Sequence, residues 1–472
     1  MFDRGGPGEL IVLMENMMIW KKGIILVLQL YLIKMSKAIL SGNDETPQED
    51  ITRIPGFGCY WQGGSYPGVT CDCRDREMEF VINKNIPSFD AASIEIKNCN
   101  KITFKGNSIS HMRNLRNLTL NNIAQIDLEE DSLNWVAYRS VFSEQMDQII
   151  PNLKIYVLDS VISNIGIQSF KGNIGELYFD RVTILSTSQY AFANLQQTQS
   201  VVFKNCVFYS IMQQAFKKFT TENLQLRNVT AREIPSRMFS DITVNQLFTI
   251  QSCNFGSVRS SAFIIQNPLY MDVTNTNIFE LDGEGFKVQG VDRVTFANNN
   301  FHTVQDGAFR GITKKTDSNM FITLNTNTFT IITRDSLTFP ESKVEIIDLC
   351  LNHTCDCLNI DHQIKNTEHF SNIKCLYNNQ YITVSDFKSK LCSLSTSSTT
   401  LIIVLSVVGT LLIIIIAALS IFLRRYLRRG KYGNQKQIKN GQLSLIVPDG
   451  RTYRETELHV IVEKTELLTT DL

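Results

Sequence analysis

The side chains of this 472-residue chain best able to do chemistry are its thiols. Eleven Cys occur, and they are clustered: Cys59, Cys71 and Cys73 fall in a Gly-rich, aromatic segment, while Cys355 and Cys357 form a CxC pair followed by Cys375 and Cys392. Four such thiols could hold zinc or close two disulfides. Zinc sites are usually built from paired CxxC knuckles, which are missing here, so oxidation to disulfides in a secretory compartment is the stronger reading. Cys350 is left over as a candidate free or intermolecular thiol. The six His (His111, His302, His353, His362, His369 and His459) form no HExxH motif. No GxSxG, glycine-rich phosphate loop or dinucleotide turn is present at a strand-to-helix junction. We therefore expect no catalytic residue, no metal site, no cofactor and no enzymatic activity.

Lys plus Arg equals Asp plus Glu at 46 each, a balance that does not argue for nucleic acid as a partner. Isolated carboxylates are abundant, but on a repeated scaffold they are usually solvated face residues.

The elements that position the thiols are repeats. Phe170, Phe192, Phe216, Phe239, Phe263, Phe286 and Phe309 follow one another at steps of 22, 24, 23, 24, 23 and 23 residues. Thirteen residues before each stands Val157, Phe179, Phe203, Leu226, Ile250, Val273 or Phe296, and two before that Ile155, Leu177, Val201, Leu224, Phe248, Met271 or Val294. A fixed offset inside a slightly variable period means that each unit is one turn of a solenoid, with length changes confined to loops. The apolar pair two apart is a short strand facing inward, and the Phe closes the far wall. Three residues after the second strand position, from Phe203 onward, come Cys206, Val229, Cys253, Thr276, Asn299, Asn327 and Asn352; Asn, Cys and Thr suit a place where a buried side chain bonds the neighbouring turn, and Val does not. The frame extends upstream through Ile94, Ile96 and Cys99, then Leu118 and Leu120, and downstream through Ile322 and Leu324, then Ile347 and Leu349. That gives about eleven turns, a stack roughly 50 Å long.

The pattern resembles the extracellular leucine-rich repeat, LxxLxLxxNxLxxLxxxxF. The resemblance implies a leucine-rich-repeat solenoid with parallel β-strands on a concave side, an irregular or short helical convex side, and disulfide caps. Its C-terminal cap implies Cys355 with Cys375 and Cys357 with Cys392. At the N-terminal cap the family usually has four Cys. Cys59, Cys71 and Cys73 leave the fourth open: Cys99 is available, but fits the buried ladder better.

An apolar run, Ile24 to Ile33, behind Lys21 and Lys22 reads as a signal-peptide core. From Leu401 to Leu423, 23 residues lack charge, and Arg424, Arg425, Arg428, Arg429 and Lys431 follow at once. Length and basic flank predict a single span with its C-terminal side in the cytoplasm. The expected organisation is a signal region over 1–40, an N-terminal cap over 42–92, repeats over 93–353, a C-terminal cap over 354–394, a transmembrane helix over 401–423 and a tail over 424–472. The tail is too short for a kinase or a Toll-type signalling domain. Glu463, Leu467 and Leu468 match the ExxxLL signal read by clathrin adaptors, and Thr470 with Leu472 matches a terminal PDZ ligand.

Sequons occur at Asn117 and Asn228, at expected solvent-facing positions, and at Asn352, expected buried and unmodified. The outward strand side chains Tyr156, Tyr178, Asp180, Lys204, Arg227, Asp272 and Arg293 are the expected contacts with a protein partner, since Tyr and Arg are favoured interface anchors. A plasma-membrane protein in adhesion or reception, type I and single-pass, is the functional reading. The rival is a membrane-anchored, carbohydrate-active parallel β-helix enzyme, whose turns share this period.

Overall fold

The computed structural model describes residues 52, 58–63, 67–74, 79–85, 91–136, 152–333, 335–340, 343–357 and 372–429, without side chains at 393–400 and 428–429. The signal region and the tail motifs lie outside these residues. The chain divides into two compact units, Met1–Ser395 and Thr396–Leu472.

The first unit is a parallel β-solenoid. One full turn shows the design: strands Ile174–Asp180, Thr183–Ser186 and Phe192–Leu195 each pair in parallel with their counterparts one turn before and one turn after. Three ladders result. The first face runs from Gly68–Asp72 and Ser93–Lys97 to the first half of Lys343–Thr354, whose second half joins the second ladder and pairs there with Ile373–Tyr377. The second begins at Glu79–Ile82 and continues beyond Asn300–Val304. The third spans Leu133–Trp135 to Ile312–Lys314. The expected irregular or short helical side is therefore strand as well. Thr183, Ile184, Val207 and Phe208 supply the β-branched and aromatic residues that favour extended backbone, and the neighbouring turns accept its hydrogen bonds.

Between the ladders the chain turns corners through left-handed residues, Asn98, Asn122, Asn205 and Asn228 among them, all near φ +55°. Asn is the side chain that tolerates this region best after Gly. Gly172 occupies a tighter corner at φ +92°, where an added Cβ would stand 2.0 Å from the Trp135 carbonyl oxygen.

The interior is aromatic. Phe170, Phe192, Phe216, Phe239, Phe263 and Phe286 stack in sequence with centroids 4.6, 4.3, 4.6, 5.2 and 5.3 Å apart. Phe179 and Phe203 form a second stack at 4.7 Å, edge-on to Phe192. Turn spacing dictates both, because equivalent residues in parallel register lie about 4.8 Å apart. The polar ladder runs beside them: Asn327 Nδ2 donates to the Phe296 carbonyl, Asn299 Nδ2 to the Val273 carbonyl, and Thr276 Oγ1 accepts from the Cys253 N–H. Val229 fills its ladder position without a hydrogen-bonding side chain and is fully buried.

The ladder ends at Asn327. Two register irregularities in the last turn set Val344 and Ile346 opposite Ile322 and Leu324, and Leu349 opposite Asn327. Ile347 is consequently 50% exposed and Asn352 is exposed, so neither holds the interior position expected for it.

Each end of the stack is closed by an antiparallel strand held by disulfides. Cys59–Gln62 pairs with Gly68–Asp72, placing Cys59 opposite Cys71, to which it is bonded; Cys73 is bonded to Cys99. Cys99 is both buried and bridged, so the two places open to it coincide. At the other end Ile373–Tyr377 and Gln380–Thr383 form a hairpin through Asn378 and Asn379, whose φ of 49° and 62° suit a two-residue turn. Cys355 is bonded to Cys375 and Cys357 to Cys392. These strands cover edges that would otherwise expose unpaired backbone and core.

The helix Ser393–Arg429 carries, within the second unit, an apolar stretch, Leu401–Leu427, of 27 residues and mean hydropathy 3.1. Large apolar side chains are exposed all along it. That is long enough to cross a bilayer.

Candidate partner-binding face

All seven expected contact residues lie on the first face, because the parallel register aligns the alternate, outward positions of successive strands. Tyr156 and Tyr178 are direct neighbours in one row, with centroids 6.1 Å apart and planes at 55°. Tyr156 donates its hydroxyl to Glu176 Oε2 at 2.9 Å, and Lys154 Nζ lies 3.3 Å from the same carboxylate. Partial burial, with the Glu176 bond second, pushes the Tyr156 phenol up to about 12. It is therefore a neutral, hydrogen-bonded ring at physiological pH. Asp272 falls in the same row, seen through the pairs that join Val202, Gln225 and Thr249.

Asp180, Lys204 and Arg227 form the adjacent row. Asp180 differs from the expectation, for it is only 6% exposed. It accepts from Arg181 Nη1 at 2.9 Å and Asn205 Nδ2 at 2.8 Å, with Lys204 Nζ at 3.7 Å. Its carboxylate is committed to the corner and is a positioning group, since a half-satisfied buried charge would be costly. Arg181 also grips Asp159 through two bonds, holding the Asp159 carboxyl below its usual range. Arg293 lies over the Tyr270 ring at 5.2 Å, in the third row of this face.

Asn117 is exposed at the start of its strand, opposite Lys154. Asn228 is exposed at a left-handed corner, just after its strand ends at Arg227, and donates through Nδ2 to Asn205 Oδ1 at 2.8 Å.

A second set of exposed apolar side chains was not anticipated. On the second face, Leu185 and Tyr209 project outward, and Phe279, 56% exposed, stacks on His302 at 4.4 Å. The available signal was their place, one residue after each inward apolar side chain of this ladder. The carboxylates of Glu233, Glu280 and Asp282 there converge on Arg259 at 3.5, 3.3 and 3.7 Å.

No protein-family model and no curated protein matches the chain. Solved structures do match. One is the glycosylated Toll–Spatzle complex of Drosophila, 13% identical with a TM-score of 0.25, the match covering 71% of this chain and 62% of that one. This chain thus spans less than two-thirds of that structure.

Proposed function

We propose that the chain is a type I, single-pass plasma-membrane protein whose solenoid binds another protein outside the cell, by adhesion or as a receptor or co-receptor. The observation that carries this reading is the Tyr156–Tyr178 pair on a continuous parallel sheet face, braced by Glu176 and Lys154. Large, rigid aromatic surface with a polar tip is the chemistry of an interface anchor. Disulfides at both ends support an oxidising compartment, and the basic run after the apolar helix supports a cytoplasmic tail. Clathrin adaptors at Glu463, Leu467 and Leu468, and PDZ scaffolds at Thr470 and Leu472, are the proposed inner partners. We read the protein as non-enzymatic.

The test is a dimeric fusion of residues 41–398 applied to intact cells displaying the full chain and to mock cells. Binding to displaying cells alone supports homophilic adhesion; binding to another cell type supports a receptor. An epitope placed before the solenoid that is inaccessible on intact cells would overturn the orientation.

A further inference from the structure

We propose that Asn352 is an N-glycan acceptor, and that its glycan stands on the second face at the C-terminal end of the solenoid. Asn352, His353 and Thr354 form an Asn-x-Thr sequon. Continuation of the repeat by counting buries this Asn directly beyond Asn327, where a glycan would prevent the turns from stacking. The register reverses that. Leu349 lies opposite Asn327 and is fully buried, Leu351 lies opposite Phe329 and is fully buried, and alternation then turns Cys350 and Asn352 outward. Asn352 is exposed. Its Oδ1 accepts from the Tyr381 hydroxyl at 3.3 Å, while its Nδ2, the atom that would carry the sugar, makes no hydrogen bond among the described residues.

The chemistry is glycosyl transfer. The Asn352 Nδ2 forms a bond to the anomeric carbon of an oligosaccharide, whose bond to a lipid pyrophosphate breaks. The lipid pyrophosphate leaves with the electron pair, and the amide loses one proton to the transferring enzyme's base. Nδ2 keeps its other hydrogen, and Oδ1 keeps its bond to Tyr381.

The position has a consequence for recognition. Phe301 pairs with Phe329 and Phe329 with Leu351, so His302, Thr330 and Asn352 follow one another in the outward row of the second face. Two turns at strand spacing separate Asn352 from His302, about 10 Å. A glycan there covers the approach to the Phe279–His302 stack.

This inference rests on the proposed extracellular orientation, and the experiment separates the two. The full chain is expressed in glycosylating cells, recovered from the cell surface, and treated with peptide N-glycosidase in heavy-oxygen water. Peptides are then read for Asn converted to labelled Asp. Conversion at Asn352 is expected, and both Asn352→Gln and Thr354→Ala should remove one mobility step while the chain still reaches the surface. Thr354→Ala keeps the Asn352 side chain, so its loss of the step tracks the sequon and not the amide's packing. Conversion at Asn117 or Asn228 without conversion at Asn352 would overturn the inference and leave the orientation standing. Absence of conversion at all three would overturn both.

Discussion

The Asn299 side chain donates from Nδ2 to the Asn327 Oδ1 at 2.9 Å, and the same oxygen receives the Asn299 backbone N–H at 3.1 Å. Asn327 in turn donates to the Phe296 carbonyl at 2.8 Å. One buried side chain thus satisfies three groups of the preceding turn.

Asn327→Leu should therefore destabilise the solenoid strongly. Each buried group left unpaired costs about 1–3 kcal/mol. Thr276→Val, which removes the partner of the Cys253 N–H, should cost less. Urea midpoints of the isolated solenoid with intact disulfides would rank them; equal midpoints for Asn327→Leu and the parent chain would contradict the ladder.

The buried thiols predict a pH dependence. Burial pushes Cys206 up to about 12 and Cys253 to about 11, against an ordinary thiol value near 9.0. Above pH 9 the unfolded chain loses these protons while the folded chain keeps them. Stability is then fully present below pH 9 and falls as pH rises towards 11, by at most about 1.4 kcal/mol per pH unit for each thiol. Cys206→Ala combined with Cys253→Ala should flatten that decline, measured as the unfolding midpoint between pH 8 and 11.

Gly172→Ala should lower the melting temperature. The left-handed backbone alone costs a side chain about 1–3 kcal/mol, and the Cβ would stand 2.0 Å from the Trp135 oxygen. Gly63→Ala is the matched control, because nothing lies within 4 Å of its Cβ position. A Gly172→Ala melting point equal to that of Gly63→Ala would contradict this corner.

Non-reducing peptide mapping should recover Cys59 with Cys71, Cys73 with Cys99, Cys355 with Cys375 and Cys357 with Cys392, leaving Cys206, Cys253 and Cys350 as thiols. Removal of the Cys357–Cys392 bridge by a double change to Ser should cost about 2–5 kcal/mol. A scrambled map would contradict the closure of the ends.

Much of the solenoid was legible because stacking turns repeat the same demands at the same offset: the Phe wall, the inward strand pair and the Asn–Thr–Cys ladder all keep their spacing. The last turn was not legible for a reason of period. Val344, Ile346, Ile347 and Leu349 offer two inward pairs one residue out of phase, and a slip of one residue exchanges the faces. Two register irregularities choose between them, and only packing reveals those. Asp180 reads as a surface charge until Arg181 and Asn205 are seen to fold over it. Tyr209 and Phe279 were missed although each directly follows an inward apolar residue, Phe208 and Ile278, because two adjacent apolar side chains do not show by themselves which one faces out. The other two strands of each turn are short, and sequence patterns carry little signal over three to five residues.

The most direct test of the account is partner binding by the dimeric solenoid carrying Tyr156→Ala and Tyr178→Ala, beside the same fusion carrying Tyr209→Ala, with the midpoint of unfolding as a check on folding. The account predicts that binding drops at least tenfold for the first-face pair, equivalent to about 1.4 kcal/mol, and stays within twofold for the second-face change. Unchanged binding by the Tyr156 and Tyr178 variant, or loss confined to Tyr209→Ala, would contradict recognition through the first face.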